Sequence, residues 1–98
     1  MIVKWSGTSR QKLFEFSEFI ALDSLKYALE FIDLCEEKVK MLESFPKSGR
    51  IIPDFSNQNI RELIVYDNYR IIYRIDENDI LIITIRHVKQ KLTKRNLN

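Results

Sequence analysis

Residues 60–88 read IRELIVYDNYRIIYRIDENDILIITIRHV, and the fold turns on this stretch. Three runs rich in Ile, Val, Leu and Tyr are interrupted twice, by Asp67-Asn68 and by the polar segment Asp76 to Asp79. β-Branched and aromatic residues favour a half-buried pleated strand, and short polar interruptions mark turns. The spacing predicts strands over 60–66, 69–75 and 80–88. Asp67 and Asn68 both tolerate positive φ, as a two-residue hairpin turn requires. Strands joined by connections this short must pair antiparallel.

Alternation assigns the faces. In 69–75, Tyr69, Ile71, Tyr73 and Ile75 share one face, and Arg70, Ile72 and Arg74 share the other. The apolar and aromatic set is expected in the core. In 80–88 the same rule expects Leu81, Ile83 and Ile85 inward, and Ile82, Thr84 and Arg86 outward. Arg70, Arg74 and Arg86 then lie on one common surface.

Upstream, residues 46–59 contain both prolines and Gly49 and read as a loop. Before it, Ala28, Ile32, Cys35, Val39 and Leu42 recur at spacings of four and three, the stripe of an amphipathic helix. Leu25, Tyr27, Leu29, Phe31 and Leu34 thicken that stripe near its start. Asp23 or Ser24 supplies the cap, and Pro46 ends the helix near Phe45. Leu13, Phe16 and Ile20 mark an earlier helix, widened by Phe19, with a capping box at Thr8 and Gln11. Residues 2–6 read as a short strand, with Trp5 packed under the helices. The order β-α-α-β-β-β specifies an α+β domain: an antiparallel sheet with a two-helix hairpin packed on one face.

At 98 residues the chain is expected to form one domain, 1–98, with a short basic tail from about residue 88. One Cys excludes an intramolecular disulfide, and one Cys with one His leaves too few soft ligands for a metal site. No metal or cofactor is expected. Cys35, inside the helical stripe, reads as a small core residue. The sequence lacks a recognisable signal peptide and any run near the ~18 apolar residues of a membrane span. The expected location is therefore the cytoplasm, with no membrane partner.

The net charge of +2 is a cancellation. Residues 1–85 carry 11 basic and all 14 acidic side chains, a balance of −3. Residues 86–98 carry Arg86, Lys89, Lys91, Lys94 and Arg95 and no acid, a balance of +5. A basic end beside an arginine-bearing sheet face can attract phosphate or an acidic partner. Its alternative reading is a solvated tail. Arg70 and Arg74 can likewise be strand arginines paired with Glu62 or Asp76, and Arg50 and Arg61 can pair with Asp54 and Glu62.

Three segments carry a family resemblance. They are Gly49-Arg50-Ile51-Ile52-Pro53-Asp54-Phe55, then Ile60-Arg61-Glu62-Leu63-Ile64-Val65, then Asn68-Tyr69-Arg70-Ile71-Ile72-Tyr73-Arg74-Ile75. With the strand Ile80 to His87 and the tail Lys89-Gln90-Lys91-Leu92, they resemble the RelE/ParE toxin superfamily of bacterial type II toxin–antitoxin modules. The resemblance implies a β-α-α-β-β-β, microbial-RNase-like fold and a growth-inhibiting toxin neutralised by a small cognate antitoxin. Two mechanisms follow from it. RelE-like members are metal-independent, ribosome-dependent mRNA endonucleases. There the resemblance puts Arg70 at the first catalytic arginine, Lys91 at a second basic position, His87 as an alternative acid or base, and Asp54 as a loop carboxylate. No tyrosine follows Tyr73, where many ribonuclease members carry one. ParE-like members act on DNA gyrase without nuclease activity. The Gly-Arg-x-x-Pro, Arg-Glu-Leu and Tyr-Arg-Ile-Ile-Tyr-Arg motifs are closer to that branch. Arg74, Arg86, Lys89, Lys94 and Arg95 are then the expected target- or antitoxin-binding residues. A further alternative is an inactive interaction module that retains the fold.

Overall fold

A computed structural model describes residues 1–53 and 55–89. The elements are β1 (Ile2–Trp5), α1 (Gly7–Ala21), α2 (Leu25–Met41), β2 (Arg50–Ile51), β3 (Ile60–Val65), β4 (Tyr69–Ile75) and β5 (Asp79–His87). They build one five-stranded sheet in the order β1-β5-β4-β3-β2. The pairs β2–β3, β3–β4 and β4–β5 are antiparallel, as their short connections demand. β1 instead runs parallel to β5, so the sheet is mixed. A parallel neighbour needs a long crossover. The helical hairpin begins it, and the chain then enters the sheet at the far edge as β2.

The first helix starts earlier than the Thr8 capping box suggests. Ser6 is its cap: the hydroxyl accepts from the Ser9 N–H at 3.0 Å and donates to the Ile83 carbonyl at 2.8 Å. The Ser6 N–H also donates to the Ile82 carbonyl at 3.0 Å. Pairing with β5 therefore sets where β1 stops and α1 begins. Ser24 caps α2 through the Tyr27 N–H at 3.2 Å.

Both helices cover one face of the sheet. The main core joins Phe31, Cys35, Val39 and Leu42 of α2 to Val65, Tyr69, Ile71, Tyr73, Ile80, Ile82 and Ile85. Leu13, Phe16 and Ile20 of α1, and Trp5 of β1, pack against it. Phe31 takes the central place expected of Ile32, which is only half-buried. Its ring lies 4.8 Å from that of Tyr69, and Phe16 meets the same ring at 5.1 Å. Burying a side chain of this size contributes about 1.5–3 kcal/mol. Phe19, Leu25, Tyr27 and Leu29, read as part of the helical stripes, stand exposed.

A β-bulge rewrites the faces of β5. Ile72 pairs with Thr84 but Tyr73 pairs with Ile82, leaving Ile83 as an extra residue. One inserted residue inverts the side-chain alternation on one side of it. After the bulge, Ile85 points to the helices and Thr84 and Arg86 to the other face, as expected. Before it the reading is reversed: Ile82 and Ile80 join the main core, whereas Leu81 and Ile83 turn away. On the far face they meet Ile52, Phe55, Ile60 and Ile72 in a second, smaller core. The loop after β2 therefore covers part of the face expected to be open.

The β3–β4 turn also differs from a two-residue hairpin. Val65 pairs with Tyr69, so Tyr66, Asp67 and Asn68 form the connection. Positive φ falls on Tyr66 (52°) and Asp67 (61°), one position earlier than expected. The Tyr66 ring stacks on Phe31 at 6.3 Å, a tertiary contact that helps hold an unfavourable backbone for a bulky residue.

The loop before β2 is fastened from beneath. The buried Tyr73 hydroxyl donates to the Pro46 carbonyl at 2.7 Å and accepts from the Gly49 N–H at 2.9 Å. Burial raises the pKa of this phenol, so it remains a donor. A Cβ on Gly49 would sit 2.6 Å from the Tyr73 hydroxyl and 2.8 Å from the Glu62 carbonyl. Tyr73→Phe leaves the buried Gly49 N–H without its acceptor. It should lower stability by about 1–3 kcal/mol, seen as a lower urea midpoint at unchanged slope. Gly49→Ala should cost more, because β4 or the loop must move.

Candidate functional site

The face away from the helices carries the charge. Register places Arg70 of β4 directly across from Arg86 of β5 and from Ile64 of β3. Glu62 of β3 lies diagonal to Arg70 and directly across from Arg50 of β2. The Glu62 side chain is only 2% exposed. Ionised carboxylates are rarely buried unless cations reach them. Arg50 Nε lies 2.6 Å from its Oε2, Arg70 Nε 3.9 Å from the same oxygen, and Arg86 Nη2 3.9 Å from Oε1. One acid thus gathers arginines from three strands.

Arg70 is engaged locally as well. Its Nη1 donates to the carbonyls of Asp67 (2.9 Å) and Tyr69 (3.0 Å), so the side chain braces the turn with positive φ. Arg74 grips Asp76 with two bonds, at 2.8 and 3.2 Å. That contact holds the Asp76 carboxyl below its usual range and raises the guanidinium pKa. The two pairings considered from sequence, to Glu62 and to Asp76, both occur. Arg50 pairs with Glu62, but among the described residues Arg61 forms no ion pair. It donates instead to the backbone carbonyls of Gln58, Lys47 and Gly49 at 3.0–3.3 Å.

His87 lies on the helix side. It pairs with Tyr69 across the ladder, and the two rings meet edge to face at 5.1 Å. Its Nδ1 accepts from the Lys89 N–H at 3.2 Å. Glu15, Phe16, Phe19, Tyr69 and Lys89 line a hollow of about 520 Å³ beside it. The sheet therefore separates His87 from Arg70, Arg74 and Arg86. Lys89 is exposed at the end of the described chain. Asp54, Lys91, Lys94 and Arg95 lie outside the described residues.

Glu62 is the residue that sequence reasoning undervalued. The sequence offers it as one partner of a strand arginine, whereas it is the buried centre of the group. A usable signal existed in the register. Two arginines directly opposed on neighbouring strands repel, so an acid is required nearby on the same face. Cys35 needs no functional role: it is fully buried, and burial pushes its thiol up to about 12.

These features define an α+β domain with a helical hairpin on one sheet face and an arginine–glutamate group on the other. The family described as "ParE toxin of type II toxin-antitoxin system, parDE" matches residues 3–92. The chain belongs to this ParE toxin family, within the RelE/ParE superfamily. A solved structure described as the chromosomal ParDE TA system from P. aeruginosa contains a chain of the same fold, with a TM-score of 0.73 at 22% identity. That match covers 91% of this chain and 97% of the other. No curated protein matches by sequence. Among the described residues, no helix is long and apolar enough to cross a membrane.

Two outcomes test this description. Glu62→Ala removes the carboxylate that Arg50 and Arg70 share and should destabilise the fold by about 2–4 kcal/mol. Arg50→Ala removes the one hydrogen bond to the buried carboxylate but leaves Arg70 and Arg86 at 3.9 Å, and should cost about 1–3 kcal/mol; chemical denaturation compares the two. At pH 8, Cys35 should resist a thiol reagent in the native protein and react once urea unfolds it.

Proposed function

We propose that this toxin inhibits growth by a ParE-like route, acting on DNA gyrase rather than cutting mRNA, and that a cognate antitoxin neutralises it. The supporting observation is the placement of Arg70 and His87 on opposite faces of the sheet. In-line attack by a 2′-hydroxyl needs a cation and an acid–base pair around one phosphate. Arg70 braces a turn beside a buried carboxylate, and His87 packs against Tyr69 on the other face, an arrangement that disfavours bringing these two to one phosphate. Membership of the ParE family agrees with this reading.

The gyrase-facing surface is proposed to include the basic end of the chain, Lys89, Lys94 and Arg95, with Arg74 and Arg86. The antitoxin is proposed to bring acidic or amphipathic segments to the same end of the domain. The location that fits a gyrase target is the cytoplasm.

Purified protein should inhibit ATP-dependent supercoiling by gyrase and leave messages on translating ribosomes uncut. Expression of the chain alone should arrest growth, and co-expression of its antitoxin should restore it. Message cleavage abolished by Arg70→Ala, in a folded variant, would instead establish the endonuclease mechanism.

A further inference from the structure

We propose that the hollow between the tip of the helical hairpin and the β3–β4 turn binds an alkylammonium group, held by the rings of Tyr27, Tyr66 and Tyr69 with Glu30 as counter-charge. The hollow has a volume of about 410 Å³, within the range of small-ligand sites. Ile20, Tyr27, Glu30, Tyr66, Asn68 and Tyr69 line it. Three of the four tyrosines of the chain therefore meet in one depression. The face of an aromatic ring is electron-rich, and several rings around one point attract an ammonium group. The lining holds one acid and no base. Among the described residues Glu30 forms no ion pair, although Lys26 lies one turn earlier on α2. Burial first, and then Glu30 and Tyr27, hold the Tyr66 phenol above its ordinary pKa, so these groups act on one another across the hollow. The neighbouring hollow shares Tyr69 but has His87 and Lys89 in its wall, and lacks this one-signed lining.

The backbone of Tyr66 is the second, independent observation. A φ of 52° is unfavourable for a bulky side chain, and strain of this kind gathers at ligand clamps. Here it carries the ring onto Phe31, stacked at 6.3 Å and 25°, while the residue stays 47% exposed. With one face resting on Phe31, the other is open to a ligand. Tyr27 is also exposed, whereas Tyr69 is buried. Two accessible rings thus stand over a fixed aromatic floor. Half-buried Ile20 offers apolar contact to an aliphatic stem, as the methylenes of a lysine seek when the charged head stays near water. A lysine side chain of a partner protein and a free amine share this chemistry. The site does not depend on the cellular target of the toxin.

The test follows the tyrosine ring resonances of the full-length protein while n-butylammonium, the side-chain fragment of lysine, is titrated at low salt. Signals of Tyr27, Tyr66 and Tyr69 should shift along a saturating curve, and n-butanol, of equal size and no charge, should not reproduce it. Tyr27→Leu and Tyr66→Leu should each weaken binding about 2–10-fold, and Glu30→Gln about 2–5-fold. Glu77→Gln, the same loss of charge in the β4–β5 turn, should change nothing. A blocked Gly-Lys-Gly peptide that binds more tightly than n-butylammonium assigns the site to a lysine of a partner, and the reverse order assigns it to a free amine; either order supports the site. The proposal is overturned if n-butanol shifts the same signals as strongly, as a merely apolar hollow would produce, or if neither ammonium moves them. It is equally overturned if Tyr27→Leu and Glu30→Gln leave the affinity unchanged, or if Glu77→Gln weakens it as much as Glu30→Gln. Should Tyr66→Leu fail to fold, the exposed Tyr27 decides the matter. None of these readouts involves gyrase or growth, so failure here is separable from failure of the proposed function.

Discussion

A carboxylate at 2% exposure on a strand is tenable only if cations come to it, and Glu62 draws them from β2, β4 and β5. This requirement organises the face of the sheet that no helix covers. It ties the short edge strand β2 to β3 through Arg50. It brings two mutually repelling arginines side by side and gives them a common counter-ion. It leaves that part of the face polar, while Ile52, Ile72 and Ile83 under the loop after β2 make the remainder apolar. The chemistry available to the protein follows from this arrangement, because Arg70 is part of a structural group before it is available to any partner.

The second constraint is the double burial of β4. Tyr69, Ile71 and Tyr73 lie under the helices, while Ile72 lies under the loop after β2. Such a strand cannot slip register without exposing apolar residues on one side and burying arginines on the other. The Tyr73 hydroxyl extends this rigidity to the loop by holding Pro46 and Gly49, and Arg61 collects three further carbonyls from the same region. The Gly-Arg-x-x-Pro motif then has a physical meaning. Glycine is required because a Cβ there would collide with a tyrosine hydroxyl, and arginine is required by the acid on β3.

Much of the fold was legible in residues 60–88. Alternation in β4 placed every residue on its correct face, and the short turns specified antiparallel pairing. The failures are equally local. At Ile83 one additional residue reversed the assignments of Leu81, Ile82 and Ile83, and nothing in a run of isoleucines and leucines marks where a bulge falls. The β1–β5 pairing was hidden because it joins residues nearly eighty positions apart. For the site, residue types were legible but their grouping was not. Arg70 and Arg86 were legible as neighbours on one surface, yet that Glu62 of β3 is buried between them and Arg50 depended on the register of β2, β3 and β4.

The sequence by itself determined the element order, the antiparallel meander, the inward face of β4 and the segregation of charge toward the C-terminal end. These follow from side-chain periodicity and from composition, which act between near neighbours. Only the tertiary structure decided that Glu62 is buried, that three strands deliver arginines to it, and that His87 lies on the opposite face. Those outcomes depend on register between strands distant in the chain, where shifting one residue moves a side chain through the sheet. The toxin's arginine face is accordingly a property of how the strands meet.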